Sequence, residues 1–233
     1  MTDDVAPMLE LRNVEAAYGP FRALFGVSLT VGRGEAVALL GANGVGKTTV
    51  ARVASGLIAP SEGQVLVEGI DMSGRPTRDY ARMGVAHAPE GRSVFGTFTV
   101  EENLTLSFRQ SLGKGGVAGG LERAFELFPR LGERRAQIAG TLSGGEQRML
   151  SLARVLVESP PLLIADELSL GLAPVIINEV YETLATIRDA GTSLLIVEQH
   201  IGLQAAMRRR ADALSPFERV TKGGEPARRG ETQ

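Results

Sequence analysis

Short apolar runs alternate with helix-like segments along this chain, a rhythm that favours layered α/β architecture. The stretches "LELRNVEAAYG" and "RALFGVSLTV" mix polar and apolar positions, as half-exposed antiparallel strands do, and "GQVLVEGIDM" follows the turn "PSEG" in the same style. By contrast, "EAVALLG", "PLLIAD" and "TSLLIVEQ" are nearly continuous apolar runs. They predict central parallel strands covered on both faces. From about Pro89 to Gly140 no strong strand pattern occurs. Thr99 followed by Glu102 predicts a capping box for the helix "VEENLTLSFRQ". "GKGGVAGG" predicts a flexible glycine-rich loop, and Leu121, Phe125 and Phe128 have helical spacing. This region is expected to be a helical insertion in an α/β core, with Phe95, Phe98 and Phe108 packed inside. From Arg208 onward, "RRRADALSPFERVTKGGEPARRGETQ" loses apolar periodicity and gains charge and breakers. Arg208 to Arg210 read as a solvated helix end, and residues 213–233 as a poorly ordered tail.

Composition narrows the class without choosing a function. With 233 residues the chain buries a sizeable core, and 43% apolar and 22% charged residues are ordinary for a globular protein. A net charge of -2 gives no general pull toward nucleic acid or anionic lipid, so no nucleic-acid partner is expected. The absence of cysteine excludes a disulfide framework and a thiolate metal site, and fits a reducing cytosol. No apolar run approaches bilayer-spanning length, and the acidic start "MTDDVAP" is unlike a signal peptide. A membrane role is therefore expected to run through a partner.

The chemistry concentrates in three places. "GANGVGKTT", Gly41 to Thr49, follows the apolar run "AVALL" and opens the helix "TTVARVASGL", the context a phosphate loop requires. Gly41, Gly44 and Gly46 let the backbone curl, so that the N–H groups of Ala42, Asn43, Val45 and their neighbours point at phosphate oxygens. Lys47 adds a charge for the outer phosphates, and the hydroxyl of Thr48, next to Thr49, is placed for Mg²⁺. "LLIADE" ends a buried strand in Asp166, where a carboxylate is costly unless it meets a cation, and Glu167 is positioned to polarise an attacking water. Mg²⁺ and a nucleoside triphosphate are the implied ligands. "SGGEQ" opens the helix "EQRMLSLARVLVE", so Ser143, Gly144 and Gly145 offer a hydroxyl and bare N–H groups at a helix N-terminus. That is a second half-site for an anion.

"LSGGEQ" between a phosphate loop and "LLIADE" resembles the signature of ABC-type ATPases, over about Leu9 to Asp212. The resemblance implies a P-loop NTPase core of ABC-ATPase type with an antiparallel β subdomain and a helical insertion: one ATPase domain over residues 8–212, its helical subdomain over about 89–160. It also implies a head-to-tail dimer with an identical or homologous second ATPase subunit, the signature of each chain closing on ATP held by the other. Tyr18 falls where the family stacks an aromatic on adenine, and "SLGLAP" matches the loop that touches the opposite subunit.

Within the family, "YGPFRALFGVSL", "APEGRSVFGTFTVEENL", "SLGLAP" and "IVEQ" look like the second ATPase subunit of branched-chain amino acid importers. That branch implies integral membrane permease subunits as partners, a periplasmic or lipid-anchored solute-binding protein acting indirectly, and a place at the cytoplasmic face of the inner membrane. Glu90 stands where the family usually has the glutamine that senses Mg²⁺ and the permease, and a carboxylate also ligates the metal. Gln199 stands where the family has its switch histidine, with His200 next. The Gln199 amide can donate to a γ-phosphate but cannot shuttle a proton, and a shift of the strand end would bring in His200 instead. In "IADELS", Ala165 and Leu168 replace the family's usual Leu and Pro. After "RRRAD" the family's closing strands and helix are replaced by a segment holding Pro216, Gly223, Gly224 and Pro226. The alternatives are a soluble ABC ATPase outside transport and a subunit inactivated by that ending.

Overall fold

The computed structural model describes residues 5–91, 94–170 and 172–198. Gln199, His200, the Arg208 to Arg210 run and the 213–233 tail lie outside the described residues.

A hairpin of β1 (Leu9–Tyr18) and β2 (Phe21–Val31) opens the fold, and β3 (Ala36–Leu40) then runs into the glycine-rich loop and α1 (Lys47–Ala54). β4 (Glu62–Val67) and β5 (Ile70–Asp71) return to the hairpin, giving an antiparallel sheet of order β2-β1-β4-β5. After α2 (Thr77–Arg82) and β6 (Val85–Ala88) come α3 (Val100–Ser111), α4 (Gly113–Leu127), α5 (Pro129–Gly132) and α6 (Gly144–Leu156). β7 (Leu162–Asp166), α7 (Pro174–Asp189) and β8 (Ser193–Glu198) follow. The second sheet is parallel, of order β3-β8-β7-β6.

The continuous apolar runs form its centre, because both of its faces are covered. On one face Leu162 and Ile164 of β7 and Leu195 and Val197 of β8 meet Val50 and Val53 of α1 and the inner side of the antiparallel sheet, Leu9, Leu11 and Leu24 among it. On the other, Leu163, Leu194 and Ile196 pack under Leu150 and Leu152 of α6 and Val180 and Leu184 of α7. Each such side chain contributes roughly 1.5–3 kcal/mol through burial. β6, with the residues Val-Ala-His-Ala, has too little apolar character to be legible as a strand, yet it pairs with β7 at the sheet edge.

The capping box stands at the start of α3: Glu102 N–H donates to Thr99 Oγ1 at 3.1 Å and Thr99 N–H donates to Glu102 Oε2 at 2.8 Å. Two expectations for this region are corrected. "GKGGVAGG" is no loop but the first half of α4. Gly120 lets α4 lie close to α3, since a Cβ there would stand 2.8 Å from Phe108 Cδ2. Phe108 is fully buried, but Phe95 and Phe98 are 46% and 40% exposed, so core packing fails for that pair. They sit on the loop before α3, whose backbone is pinned by the buried Asn103: Phe95 N–H donates to its Oδ1 at 2.8 Å, and its Nδ2 donates to Phe95 O at 3.0 Å. The two rings pack on one another, centroids 5.6 Å apart, with the Arg154 guanidinium 5.2 Å from Phe95.

Candidate active site

The C-terminal ends of β3, β8 and β7 lie side by side, Leu40 opposite Glu198 and Asp166 opposite Val197. The phosphate loop leaves the end of β3, and Asp166 closes β7. The loop leaving β3 turns at Gly44 and Gly46, with φ of 77° and 96°. Gly46 has a second constraint: a Cβ there would stand 2.9 Å from both Ala23 O and Leu24 Cδ2. Gly41 has no such dihedral, and a Cβ there would touch Val45 Cγ2 at 3.2 Å. α1 begins at Lys47, so its unpaired first-turn N–H groups and positive dipole end face the loop. Lys47 is buried and its Nζ donates to Ala42 O at 2.9 Å.

Thr48 Oγ1 donates to Asp166 Oδ1 at 3.4 Å, joining the two residues proposed for Mg²⁺. Asp166 is 1% exposed. Burial pushes its carboxyl pKa up against the Thr48 hydrogen bond, and the nearby charges of Glu167 and Glu90 push the same way. A cation would relieve that repulsion, which fits the donor set to Mg²⁺. Among the described residues no three His, Cys, Asp or Glu side chains gather as a protein-only metal cage. A hydroxyl, a carboxylate and substrate phosphates are the usual manner of holding Mg²⁺.

Glu167 is buried and takes a left-handed backbone, φ 46°, a conformation costing about 1–2 kcal/mol for a side-chain-bearing residue. Its N–H donates to Val197 O at 2.9 Å. It lines a cavity of about 490 Å³ together with Asn43 to Thr49, Arg22, Ala23 and Phe25. Arg22 and Phe25 were missed in the sequence. They are stacked, guanidinium 5.0 Å from the ring centroid, and Phe25 is 69% exposed at an outward position of β2. Alternation along β2 would have flagged an outward phenylalanine next to the loop. Tyr18 does not line this cavity; its hydroxyl lies 3.4 Å from Thr49 Oγ1 and 3.3 Å from Arg52 Nη1.

A second cavity of about 200 Å³ brings Glu90 and Glu167 together with Gly144, Arg148 and Leu170. Arg148 organises this side: its guanidinium donates to Pro89 O at 2.7 Å, to Gly91 O and to Asp166 O at 3.0 Å. It thus ties the Glu90 segment to the end of β7. Ser143 caps α6 in a reciprocal box, its Oγ 2.8 Å from Glu146 Oε2 and its N–H 2.9 Å from the same oxygen. Gly145 lies against α7, where a Cβ would meet Ile176 Cγ2 at 2.9 Å. No residue of Ser143 to Gly145 lines the cavity of the phosphate loop. Glu167 lines both cavities, so the cavity that holds Gly144 adjoins the one that holds the phosphate loop.

The family model described as ABC transporter matches residues 24–169, from β2 through the turn after β7. The chain belongs to the ABC transporter family. As an ABC ATPase it hydrolyses ATP, and its layers are those of the solved cassettes. A structure described as the ATP binding subunit of an ABC transporter superposes with a TM-score of 0.73 at 28% identity, over 84% of this chain and 81% of that one. The high-affinity branched-chain amino acid transport ATP-binding protein BraG of Pseudomonas aeruginosa is 43% identical over 195 residues, 83% of this chain and 82% of BraG. The lipopolysaccharide export system ATP-binding protein LptB of Escherichia coli K12 is 31% identical over 219 residues, 92% of this chain and 90% of LptB.

Proposed function

We propose that this ABC ATPase powers a branched-chain amino acid importer from the cytoplasmic face of the membrane, bound to integral permease subunits. The meeting of Thr48 with Asp166 behind Lys47, with Glu167 lining the same cavity, carries the catalytic part of the reading. The solute part is supported by the 43% identity to BraG, against 31% to a relative named for lipopolysaccharide export.

Lys47 and the loop N–H groups hold and neutralise the outer phosphates of ATP. Thr48 and Asp166, with Glu90 across the neighbouring cavity, hold Mg²⁺, which supplies charge neutralisation at the phosphates when bound. Glu167 orients water for in-line attack on the γ-phosphate, help typically worth about 100-fold to 10,000-fold. Tyr18 supplies the aromatic for adenine, and Gln199 or His200 reaches the γ-phosphate. Ser143, Gly144 and Gly145 act on ATP held by the second ATPase subunit, so hydrolysis is tied to closure of the pair.

The helical unit over about 89–160 passes that closure to the permease. A cavity of about 430 Å³ lined by His87, Pro89, Ser107 and Arg154 supports this role, because Pro89 immediately precedes Glu90 in the chain. The test is to isolate tagged Glu167→Gln protein from detergent-solubilised membranes of its host, then reconstitute the wild-type chain with the permeases that accompany it. MgATP-dependent uptake of leucine is expected. Copurified permeases without leucine uptake reject the solute, and the absence of any permease rejects the transport role.

A further inference from the structure

Glu198 is a buried carboxylate with no part in the chemistry above. It ends β8 at 1% exposure, on the face covered by α6 and α7, turned away from the phosphate loop. Its Oε1 accepts from Ser169 N–H at 2.9 Å and from the Tyr181 hydroxyl at 2.7 Å, while Oε2 accepts from the Ser169 hydroxyl at 2.6 Å. Burying a carboxylate is unfavourable unless its oxygens are satisfied, and here they are satisfied mainly by one residue, Ser169. Ser169 lies two positions after Glu167.

That spacing connects Glu198 to the strained residue of the site. A non-glycine residue persists in the left-handed region only where its surroundings over-determine it. Glu167 is held on both sides by consecutive residues of β8: before the turn its own N–H meets Val197 O at 2.9 Å, and after it Ser169 is gripped by Glu198. Leu168 between them is buried at 1% exposure, while Leu170 beyond the grip is 55% exposed. The clamp therefore ends where the chain turns outward.

We propose that Glu198 is a positioning residue for ATP hydrolysis: by gripping Ser169 it holds Glu167 in its left-handed conformation and so aims the Glu167 carboxylate at the water. The proposal rests on Glu167 being the water-orienting group. Misplacing such a group by about an ångström lowers turnover strongly while leaving nucleotide contacts intact. The competing role for Glu198 is charge balance for the buried Arg148, whose guanidinium lies in its field. The two roles separate under substitution. Glu198→Ala removes both the grip and the charge, whereas Glu198→Gln keeps a carbonyl for Ser169 N–H and Tyr181 and an amide that donates to Ser169 Oγ, but carries no charge.

The experiment is steady-state MgATP hydrolysis by the full chain, with folded fraction measured by thermal unfolding. Glu198→Ala is expected to lower kcat by about tenfold or more with KM for ATP within about twofold, and Glu198→Gln to restore most of the rate. Ser169→Ala combined with Glu198→Ala is expected to be no slower than Glu198→Ala alone. Equal loss in Glu198→Ala and Glu198→Gln overturns the proposal in favour of charge balance, and unchanged kcat per folded molecule in Glu198→Ala overturns it outright. Glu167→Gln, measured alongside, isolates the underlying reading: if that variant keeps its turnover, Glu167 is not the water-orienting group and the positioning role falls with it. If Glu167→Gln is inactive and Glu198→Ala is normal, only the positioning role fails.

Discussion

Lys47 Nζ rests on Ala42 O, 2.9 Å away, and a positively charged group held by one carbonyl at the start of a helix is poised to exchange that contact for phosphate. Lys47→Ala is expected to weaken ATP binding by about 100-fold or more, as loss of a charge-assisted contact in a sheltered site does. Near-normal affinity by calorimetry would remove Lys47 from the site. His87 carries a different prediction. Burial, helped by the Arg52 charge, holds its pKa down at about 4, and its Nδ1 lies 2.8 Å from Ser55 Oγ. Between the ordinary value of 6.5 and about 4 the unfolded chain binds the proton that folded His87 refuses, so stability from this position falls as pH drops through that window. The stability advantage of the wild type over His87→Gln in urea is expected to shrink from about pH 7 to about pH 5. Residues with a fixed local context, such as Lys47, Thr48 and Asp166, were legible in the sequence. Arg148 and Glu198 were not, because their partners are main-chain oxygens and side chains brought in from distant elements.

At the scale of elements, α4 is the informative failure of pattern reading. Five of its first eight residues are glycine, which disfavours a helix by roughly 1 kcal/mol each relative to alanine. Packing against α3 overrides that penalty, but not equally at every position. Gly115 and Gly119 have nothing within 4 Å of a built Cβ, so Gly115→Ala and Gly119→Ala are each expected to stabilise the fold by about 0.5–1 kcal/mol. Gly120 faces Phe108, a fully buried ring 2.8 Å from a built Cβ, and Gly120→Ala is expected to lower the unfolding midpoint instead. Denaturant titration of the three variants checks the contrast. The strands β3, β7 and β8 were legible because burial on both faces leaves an uninterrupted apolar run. β6 was not, since one histidine and two alanines are sufficient at an edge that α2 and α6 help to cover.

For the whole molecule, the proposed action of Ser143 to Gly145 on ATP held by a second ATPase subunit makes hydrolysis depend on two chains. With MgATP, Glu167→Gln is expected to move from the 24.7 kDa monomer toward a dimer in light scattering, and Gly145→Ala, which crowds Ile176, to oppose that shift. If Glu167→Gln stays monomeric with nucleotide bound, the complementary half-site belongs to a different ATPase chain. The strand order β3-β8-β7-β6 has a last consequence, for the order of synthesis. β3, which feeds the phosphate loop, and β7, which carries Asp166, never touch as neighbours; the strand between them is β8, the last described one to be made. While the ribosome is still adding residues before Ser193, the nascent chain has the phosphate loop and Asp166 but no strand joining β3 to β7. The pairing that sets the loop after β3 beside Asp166 thus forms only once β8 clears the exit tunnel and enters the gap.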